Sequence, residues 1–491
     1  MRFHARRGAG STARSTAVLV GLALVAAACS GDDNAASKAP ASTSAAGSVS
    51  ASAAASSAAP ASSAAPAAET SSAAAASSAP AESSAAPAES AAPSALKAEL
   101  TWWDTSDPKN EGPAFKELIT QFNAVHPDVK INYQSVPFGE AQNKFKTAAA
   151  AKSGAPDIMR AEVAWVPEFA ALGHLYELDG TKLTENADDF LAAPSGSTKF
   201  DGKTYGVPQV TDSLALLYNK ALFEKAGLDP AAPPKTWAEV ETAAKALKAK
   251  AKVDGLYVHA GGYFVLPFIY GEGGDLVNTA DKTIQVNSAE SVKGMQIAAD
   301  LVKSGAAVKP PAQDSYGTMM TLFKEQKVAM IINGPWEVNG IKGAEAFGGL
   351  DNLGVAPVPA GSVKAGAPVG GHDYVIWSGM DSAKADAAIA FIDFMSSAQS
   401  QAFLADKLGL LPTRKSAYDI DSVKANPIIS AFKPVMEVAV ERAWIPEGGN
   451  LFGPLDEATT KVLSQGGDAK AALDGVAKRY QSEIVKEYKA P

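Results

Sequence analysis

Acidic side chains are the residues of this chain whose type could support catalysis. Glu162 and Asp212 could in principle act as the carboxylate pair of a glycoside hydrolase, where the separation of the two groups sets the stereochemical outcome. The sequence has no Gly-x-Ser-x-Gly or His-Glu-x-x-His motif, and Gly202-Lys203-Thr204 is not part of a Gly-x-x-x-x-Gly-Lys-Ser/Thr phosphate loop, because residue 197 is serine. Glycosidases need none of these motifs, so a carbohydrate-acting enzyme stays open as one interpretation.

One cysteine, Cys29, occurs in the 491 residues, directly after an apolar run. That run, residues 17–28, follows several arginines and has the length of a signal-peptide core rather than of a membrane span. Ala26, Ala27, Ala28 and Cys29 resemble the lipobox of bacterial lipoproteins, although the usual leucine three positions before the cysteine is Ala26. The resemblance implies a lipoprotein signal peptide over 1–28 and a lipid on Cys29. An ordinary cleavage site with a coincidental thiol is the alternative.

Residues 29–97 consist largely of Ala, Ser and Pro, a composition that cannot build a core and predicts a disordered tether. As a flexible coil it would span roughly 45 Å. Residues 1–28 hold four arginines and no acid, so the remainder carries a net charge near −13 rather than the −9 of the whole chain. Such a surface repels nucleic acid and suits a neutral ligand. With the thiol assigned to lipidation, no disulfide or thiolate metal site is expected.

Alternating strand and helix patterns predict α/β layers from about Leu96 or Leu100 onward. Residues 129–133 alternate apolar and polar side chains, as in a half-buried strand. Thr236 to Glu239 forms a capping box before a helix, and Ser382 is expected to cap another helix, whose Ile389, Ile392 and Met395 share one face. Residues 328–332 predict a strand that ends at Asn333-Gly334-Pro335, which places Trp336 on a strand-to-helix loop. Loops at strand ends are where open α/β sheets bind ligands.

Several segments together resemble the extracellular solute-binding proteins of sugar ABC importers, of the maltose/maltodextrin-binding type found in Gram-positive bacteria. The matching segments are Leu216-Leu217-Tyr218-Asn219-Lys220, Pro234-Lys235-Thr236-Trp237, Gly262-Tyr263-Phe264 and Met330-Ile331-Ile332-Asn333-Gly334-Pro335-Trp336. Pro156 to Glu162 is similar to the Gram-positive maltose- and cyclodextrin-binding branch. The resemblance implies an α/β, periplasmic-binding-protein-like fold, with two lobes joined by a hinge around a ligand cleft. Lobe one is expected over 98–210 and 366–412, and lobe two over 213–365 and 420–491.

A sugar ring has apolar faces and a rim of hydroxyls, so its site needs flat aromatic surfaces and fixed hydrogen-bonding groups. The resemblance implies that Trp336 and Tyr263 stack on sugar rings and that Asp212 accepts hydrogen bonds from hydroxyls. Arg160 and nearby Glu162 match the Gram-positive signature and could together grip vicinal hydroxyls. The chain departs from the Gram-negative pattern at Gly261 and Leu455. Further candidates are Asp104, Asp373, His372, Glu337 and Trp444.

The resemblance implies a lipid-anchored, extracellular binding protein that delivers maltose- or maltodextrin-like oligosaccharides to a membrane permease. No enzymatic activity, cofactor, metal or nucleic acid is expected, and the protein is expected to be a monomer. Three alternatives stay open: a secreted glycoside-acting enzyme, a binding protein for another sugar such as trehalose or cyclodextrin, and an adhesin or cell-wall protein suggested by the tether.

Overall fold

The computed structural model describes residues 96–490, so Cys29, the predicted signal peptide and nearly all of the predicted tether lie outside the described residues. In that range the strands are β1 (Ala98–Asp104), β2 (Val129–Ser135), β3 (Ile158–Glu162), β4 (Lys199–Phe200), β5 (Lys203–Thr204), β6 (Gly206–Ser213), β7 (Ala215–Asn219), β8 (Asp254–Tyr257), β9 (Val277–Asn278), β10 (Thr283–Ile284), β11 (Val328–Asn333), β12 (Leu353–Pro357), β13 (Ala367–Ile376) and β14 (Ala439–Val440).

The α-helices alternate with these strands along the chain. They are α1 (Gly112–Val125), α2 (Phe138–Ala150), α3 (Trp165–Ala171), α4 (Ala192–Gly196), α5 (Lys220–Lys225), α6 (Trp237–Ala246), α7 (Gly262–Gly271), α8 (Ala289–Lys303), α9 (Ser315–Lys324), α10 (Val338–Lys342), α11 (Ala385–Met395), α12 (Ala398–Leu408), α13 (Asp421–Lys424), α14 (Pro427–Glu437), α15 (Phe452–Thr459) and α16 (Ala469–Arg479). None of the helices in residues 96–490 combines the length and the apolar character that crossing a membrane requires.

Lobe one is built on a six-stranded sheet with the order β14-β13-β3-β1-β2, and β6 pairs with β13. Strand β1 runs parallel to both β2 and β3, whereas β13 is antiparallel to β3 and β6. Apolar side chains cover both faces of this sheet: Trp102 and Ile158 belong to one core, and Trp103 and Met159 belong to the other. The alternation of strand side chains explains why the two neighbouring tryptophans face opposite cores.

Lobe two is built on a four-stranded sheet with the order β12-β7-β11-β8. Strand β7 is antiparallel to β11 and β12, and β11 is parallel to β8. Strands β7 and β11 are buried on both faces. Their sequences are therefore continuous apolar runs, such as Ala329 to Ile332, rather than alternating ones. Helices α6, α7, α8 and α16 contribute to the same core.

The chain passes between the lobes at β6–β7, at β12–β13 and around β14. Strand β6 pairs with the lobe-one strand β13, and after Leu214 the chain continues as β7 in the lobe-two sheet. Gly371 adopts φ +135°, and a β-carbon there would lie 2.1 Å from the carbonyl oxygen of Val210. A glycine is therefore required for β13 to approach β6 this closely. The residue limits of the lobes stay predictions.

Most of the elements predicted from the sequence are found. Strand β2 contains residues 129–133, and β11 contains 328–332. The Thr236 hydroxyl accepts from the Glu239 amide at 3.3 Å, and the Glu239 carboxylate accepts from the Lys235 amide at 2.6 Å. The predicted cap at Ser382 is wrong. Asp381 caps a short 3-10 turn over Ser382–Lys384, because its carboxylate reaches the Ala383 amide, and α11 begins after that turn.

The aromatic centre of lobe one tests this packing. Trp102 is fully buried, and its ring meets those of Phe115, Tyr133, Tyr374 and Phe391 edge-on at centroid distances of 5.6, 5.3, 6.0 and 5.5 Å. Removing the ring leaves a cavity, so we expect Trp102→Ala to lower the free energy of unfolding by about 3–5 kcal/mol. Urea denaturation measures this loss. Leu172→Ala, at an exposed position, is the control, and a Trp102 loss below about 1 kcal/mol would contradict the packing.

Candidate functional site

The carboxyl ends of three parallel strands present functional side chains at one edge of the lobe-one sheet. Asp104 is the last residue of β1, Glu162 is the last residue of β3, and Phe138 begins α2 just after β2. Such edges are where ligands bind in open α/β sheets. This edge faces the crossing segment around β14, because Arg442 just beyond β14 forms an ion pair with Glu162.

Arg160 is held by lobe-one groups. Its Nε donates to Gln209 Oε1 at 2.7 Å, and its terminal nitrogens lie 3.8 Å from the carboxylates of Asp104 and Glu111. The side chain is only 3% exposed. Arg160 and Glu162, which the sequence predicts as joint sugar ligands, are held by different groups. In the strand register Arg160 lies opposite Tyr374, inside the lobe, whereas Glu162 lies at the end of the strand, opposite His372.

The carboxyl groups around Arg160 are themselves buried. Asp104 is fully buried and accepts from the Tyr133 hydroxyl at 2.6 Å and from the Ser106 amide at 3.1 Å. Burial raises the pKa of Glu111 to about 7, although the charge of Arg160 opposes this. Asp104 and Arg160 thus lie below the lobe-one edge. Their side chains contact each other and are hardly exposed to solvent.

Arg442 joins the lobes at the crossing segment. It forms an ion pair with Glu162, and both side chains are mostly buried. The guanidinium carbon lies 5.6 Å from the ring centre of Tyr263, 5.4 Å from that of Trp444 and 5.6 Å from that of Phe452. Aromatic faces stabilise a cation at such distances. A lobe-one carboxylate and lobe-two aromatic rings therefore share one buried charge.

Asp212 and Tyr263 meet over the hinge strand β13. The Tyr263 hydroxyl donates to the Pro368 carbonyl at 3.1 Å. A β-carbon on Gly370 would lie 2.2 Å from Asp212 Oδ1 and 2.5 Å from the Tyr263 hydroxyl, so only glycine admits both groups. Burial raises the pKa of Asp212 to about 7, against the opposing charge of Arg442. Near neutral pH this carboxyl group can donate as well as accept a hydrogen bond.

Trp336 lies where the two lobes meet. Its ring is partly buried and packs against the cores of both lobes. The indole Nε1 donates to the Tyr316 hydroxyl at 2.8 Å, and that hydroxyl donates to Glu337 Oε1 at 2.8 Å. Tyr316 thus fixes the orientation of the indole. Glu337, also in lobe two, in turn holds the Tyr316 hydroxyl.

A lobe-one amide completes the contact with Trp336. Asn110 Nδ2 donates to the Trp336 carbonyl at 3.0 Å, and Asn339 Nδ2 donates to Asn110 Oδ1 at 2.8 Å. The loop after β11 is therefore tied to lobe one through backbone and side-chain hydrogen bonds. These contacts, like the Arg442–Glu162 pair, bridge the lobes.

The remaining predicted residues fall in different places. His372 is half-buried beside the edge, and neither ring nitrogen has a hydrogen-bond partner. Burial, with the charges of Arg160 and Arg442, lowers the pKa of His372 well below its usual range, so the ring is neutral. Trp444 packs over Gly196, where a β-carbon would lie 2.7 Å from the indole nitrogen.

Asp373 is not part of this group. It is fully buried, and its Oδ2 accepts from the Ser197 hydroxyl at 2.9 Å. Burial raises the pKa of Asp373 well above its usual range. Because Asp373 lies opposite Ala161 in the register, its side chain leaves the strand on the face opposite to those of Arg160 and Tyr374. His372 and Asp373, both candidates from the sequence, therefore lie on opposite faces of β13.

Sequence reasoning missed Arg442, Tyr316, Asn110 and Phe138. Arg442 stands two residues before Trp444, and this spacing of a cation and an aromatic ring was the available signal. Tyr316 and Asn110 carry no such signal, because their partners at 336 and 339 are distant in sequence. Within residues 96–490, no group of three or more His, Cys, Asp or Glu side chains is arranged to hold a metal ion.

Two α/β lobes with aromatic and charged groups where they meet define the class of two-lobed binding proteins. The chain belongs to the bacterial extracellular solute-binding protein family, which it matches over residues 117–431.

Comparison with solved structures and other proteins agrees with this membership. The chain is similar to the GacH receptor of Streptomyces glaucescens GLA.O, determined unliganded and with acarbose or an acarbose homolog, with a TM-score of 0.77 and 44% identity over 80% of this chain and 100% of the receptor. It is 27% identical to the maltotriose-binding protein of Pyrococcus abyssi over 78% of this chain and 81% of that protein. It is 26% identical to a maltooligosaccharide ABC transporter solute-binding lipoprotein of Streptococcus pneumoniae over 68% of this chain and 77% of the relative.

The buried carboxyl group of Asp212 predicts a pH dependence. Its pKa is about 7 in the folded chain against 3.8 ordinarily, so its contribution to stability is present below about pH 4 and is lost as the pH rises to 7. We expect the melting temperature of Asp212→Asn, relative to the unmodified chain, to be higher at pH 8 than at pH 5. The gain should be a few degrees, since 1 kcal/mol shifts Tm by about 2–4 °C in domains of this size.

Differential scanning calorimetry at the two pH values checks this expectation. The difference between the variant and the unmodified chain removes the contribution of every other titrating group. Asp406→Asn, at an exposed position of α12, is the matched control. An Asp212→Asn difference that is the same at both pH values, or larger at pH 5, would contradict a raised pKa.

Proposed function

We propose that this protein is the extracellular ligand-binding component of a carbohydrate ABC importer and that it binds maltose- or maltodextrin-like oligosaccharides. The observation that carries the proposal is the position of Trp336, whose partly buried ring contacts both lobe cores and is oriented by Tyr316. An indole in that position offers a flat apolar face to a sugar ring inside the cleft. The ligands named for the similar receptors, acarbose, maltotriose and maltooligosaccharides, support the same class.

Polar groups at the crossing segment suit the hydroxyl rim of a sugar. Glu162 and Arg442 offer charged acceptor and donor groups at the crossing segment, and Asp212 can act as either. Charge-assisted hydrogen bonds of this type orient a ligand as well as bind it. In this proposal Tyr263 supplies the second stacking surface, beside Arg442.

Hinge closure is the proposed mechanism. A ligand that touches both lobes favours the closed arrangement, because the open arrangement offers only part of its contacts. Asn110 with Asn339 and Glu162 with Arg442 would hold the lobes together once the cleft has closed. The closed form would then dock on a membrane permease and release the sugar to it.

Binding without catalysis is part of the proposal. Asp212 and Glu162, the carboxylates that could serve hydrolysis, both lie beside Arg442. A guanidinium that neutralises them suits recognition of hydroxyls better than proton transfer to a glycosidic oxygen. Incubating the protein with maltooligosaccharides and analysing the mixture by chromatography tests this part: shortened products would establish the enzyme instead.

A thermal-shift panel tests the ligand class. Maltose, maltotriose, maltotetraose, trehalose, a cyclodextrin and acarbose are compared, because a ligand at one hundred times its Kd adds about 2.7 kcal/mol of stability. We expect maltooligosaccharides or acarbose to raise Tm and Trp336→Ala to lower the affinity at least about tenfold with the fold retained, since the stacking face is lost. Calorimetric titration measures the affinity.

Trp336→Phe is the matched variant for this titration, since it keeps a ring but loses the hydrogen bond to Tyr316. Intermediate affinity for Trp336→Phe would separate stacking from orientation. If no saccharide raised the melting temperature of the unmodified protein, the proposed ligand class would be wrong, and equal affinities of Trp336→Ala and the unmodified chain would remove Trp336 from the site.

Anchoring through Cys29 is also proposed, on the basis of its sequence context and the family membership. A diacylated cysteine holds a protein at a membrane, whereas a single chain binds only marginally. We expect Cys29→Ala to move the protein from the detergent phase to the aqueous phase in Triton X-114 partitioning of expressing cells. Ser30→Ala is the neighbouring control. Retention of Cys29→Ala in the detergent phase with a normal mature mass would argue against lipidation.

A further inference from the structure

Glu111 is a buried carboxyl group that the proposed function does not use. It is the N-cap residue of α1, and it is 6% exposed. Within residues 96–490 its Oε1 has no hydrogen-bond partner, and its Oε2 accepts from the Asp107 amide only at 3.4 Å. A buried carboxylate oxygen without a partner loses its hydration and gains nothing in return. The ionised form of this side chain is therefore costly.

One guanidinium serves two acids at this place. The terminal nitrogens of Arg160 lie 3.8 Å from the carboxylates of both Asp104 and Glu111. Asp104 has further donors, namely the Tyr133 hydroxyl at 2.6 Å and the Ser106 amide at 3.1 Å. Glu111 has no donor at such short distances. Of the two acids, Glu111 is therefore the one that a proton stabilises more.

Glu111 also stands beside a contact between the lobes. Asn110 directly precedes it, and Asn110 Nδ2 donates to the carbonyl of Trp336 in lobe two at 3.0 Å. Glu337 directly follows Trp336 and pairs with Lys324 of lobe two at 3.5 Å. One hydrogen bond between the lobes is thus flanked by an acid on each side. When the lobes separate, Glu337 leaves with lobe two.

The charges that act on Glu111 come from both lobes. Burial raises the pKa of Glu111 to about 7, Arg160 opposes this rise, and the charges of Asp104 and Glu337 add to it. The positive end of α1 also favours the ionised form. Asp104 and Arg160 stay with lobe one, whereas Glu337 moves away on opening and takes its partner Lys324 with it. Closing the lobes therefore raises the pKa of Glu111 further than the open arrangement does.

Closure and protonation of Glu111 are coupled with a definite sign. A carboxyl group whose pKa is higher in the closed arrangement favours that arrangement at low pH. The advantage is lost as the pH rises through about 7, where Glu111 ionises in the closed arrangement. Above that pH, a negative charge on Glu111 faces the negative charge of Glu337 across the contact between the lobes.

We propose that Glu111 is a pH-sensitive switch of lobe closure. Protonated, it allows α1 to meet the loop after β11, and ionised, it repels Glu337 and favours the open arrangement. The inference rests on the hinge closure of the proposed function and not on the class of ligand. Because only the closed arrangement offers a ligand the contacts of both lobes, the switch makes ligand binding weaker as the pH rises.

Single-molecule FRET in the absence of any ligand tests the switch. Dyes are attached at two exposed positions, through Thr120→Cys on α1 of lobe one and Lys303→Cys on α8 of lobe two, in a Cys29→Ala chain. We expect the ratio of closed to open molecules to fall about threefold from pH 6 to pH 8, since the closed arrangement binds the Glu111 proton more tightly. Glu111→Gln, which cannot ionise, should show the same high ratio at both pH values.

Two controls accompany this measurement. Glu117→Gln, at an exposed position of the same helix, should keep the full pH dependence. The difference between Glu111→Gln and the unmodified residue removes the contribution of Asp212, which titrates in the same range. The melting temperature of Glu111→Gln at pH 6 should stay within a few degrees of the parent chain, because glutamine keeps the shape and the neutrality of the protonated acid.

The outcomes separate the switch from the proposed function. Two populations whose ratio is the same at both pH values, or a pH dependence that persists in Glu111→Gln, would show that the switch is wrong while hinge closure stands. A single population under all conditions would overturn hinge closure and the switch together. The thermal-shift panel decides the ligand class independently, since the FRET measurement contains no sugar.

Discussion

The cleft depends on one buried cation. Arg442 lies where the chain crosses between the lobes, paired with Glu162 of lobe one and surrounded by the rings of Tyr263, Trp444 and Phe452. Removing one partner of such a pair costs about 3–5 kcal/mol, because it leaves an uncompensated charge away from water. The same cation opposes the ionisation penalty of Asp212. The charge state of the Asp212 carboxyl group therefore depends on Arg442, which also contacts the ring of Tyr263.

Close backbone approach makes this arrangement possible. At Gly370 the carboxyl group of Asp212 and the hydroxyl of Tyr263 occupy the space of an absent side chain, and Gly449 admits the edge of Trp165 in the same way. Each contact brings a segment distant in sequence to the same edge of β1, β2 and β3. A ligand site at a hinge needs such segments, because groups that belong to different lobes must meet when the lobes close.

Several features of the site followed from the residues and the resemblance. Trp336 does lie on the turn between β11 and α10, and Asp104 and Glu162 do end parallel strands. Strand periodicity and turn residues act over a few positions, so a sequence displays them directly. The partners of Arg160 and Glu162 could not be predicted in this way. They are Asp104 and Glu111 for Arg160 and Arg442 for Glu162, and they lie tens to hundreds of positions away.

The sequence by itself determined the apolar run before the single cysteine, the Ala/Ser/Pro segment, the α/β alternation and the family. These are properties of composition and of short-range pattern. Only the tertiary structure decided which charged groups neutralise each other, that Asp373 turns into the core while His372 stays at the edge, and that Phe138 is left exposed beside it. The reason is physical: burial and pairing depend on which distant segments the fold brings within a few ångströms, and local sequence does not contain those distances.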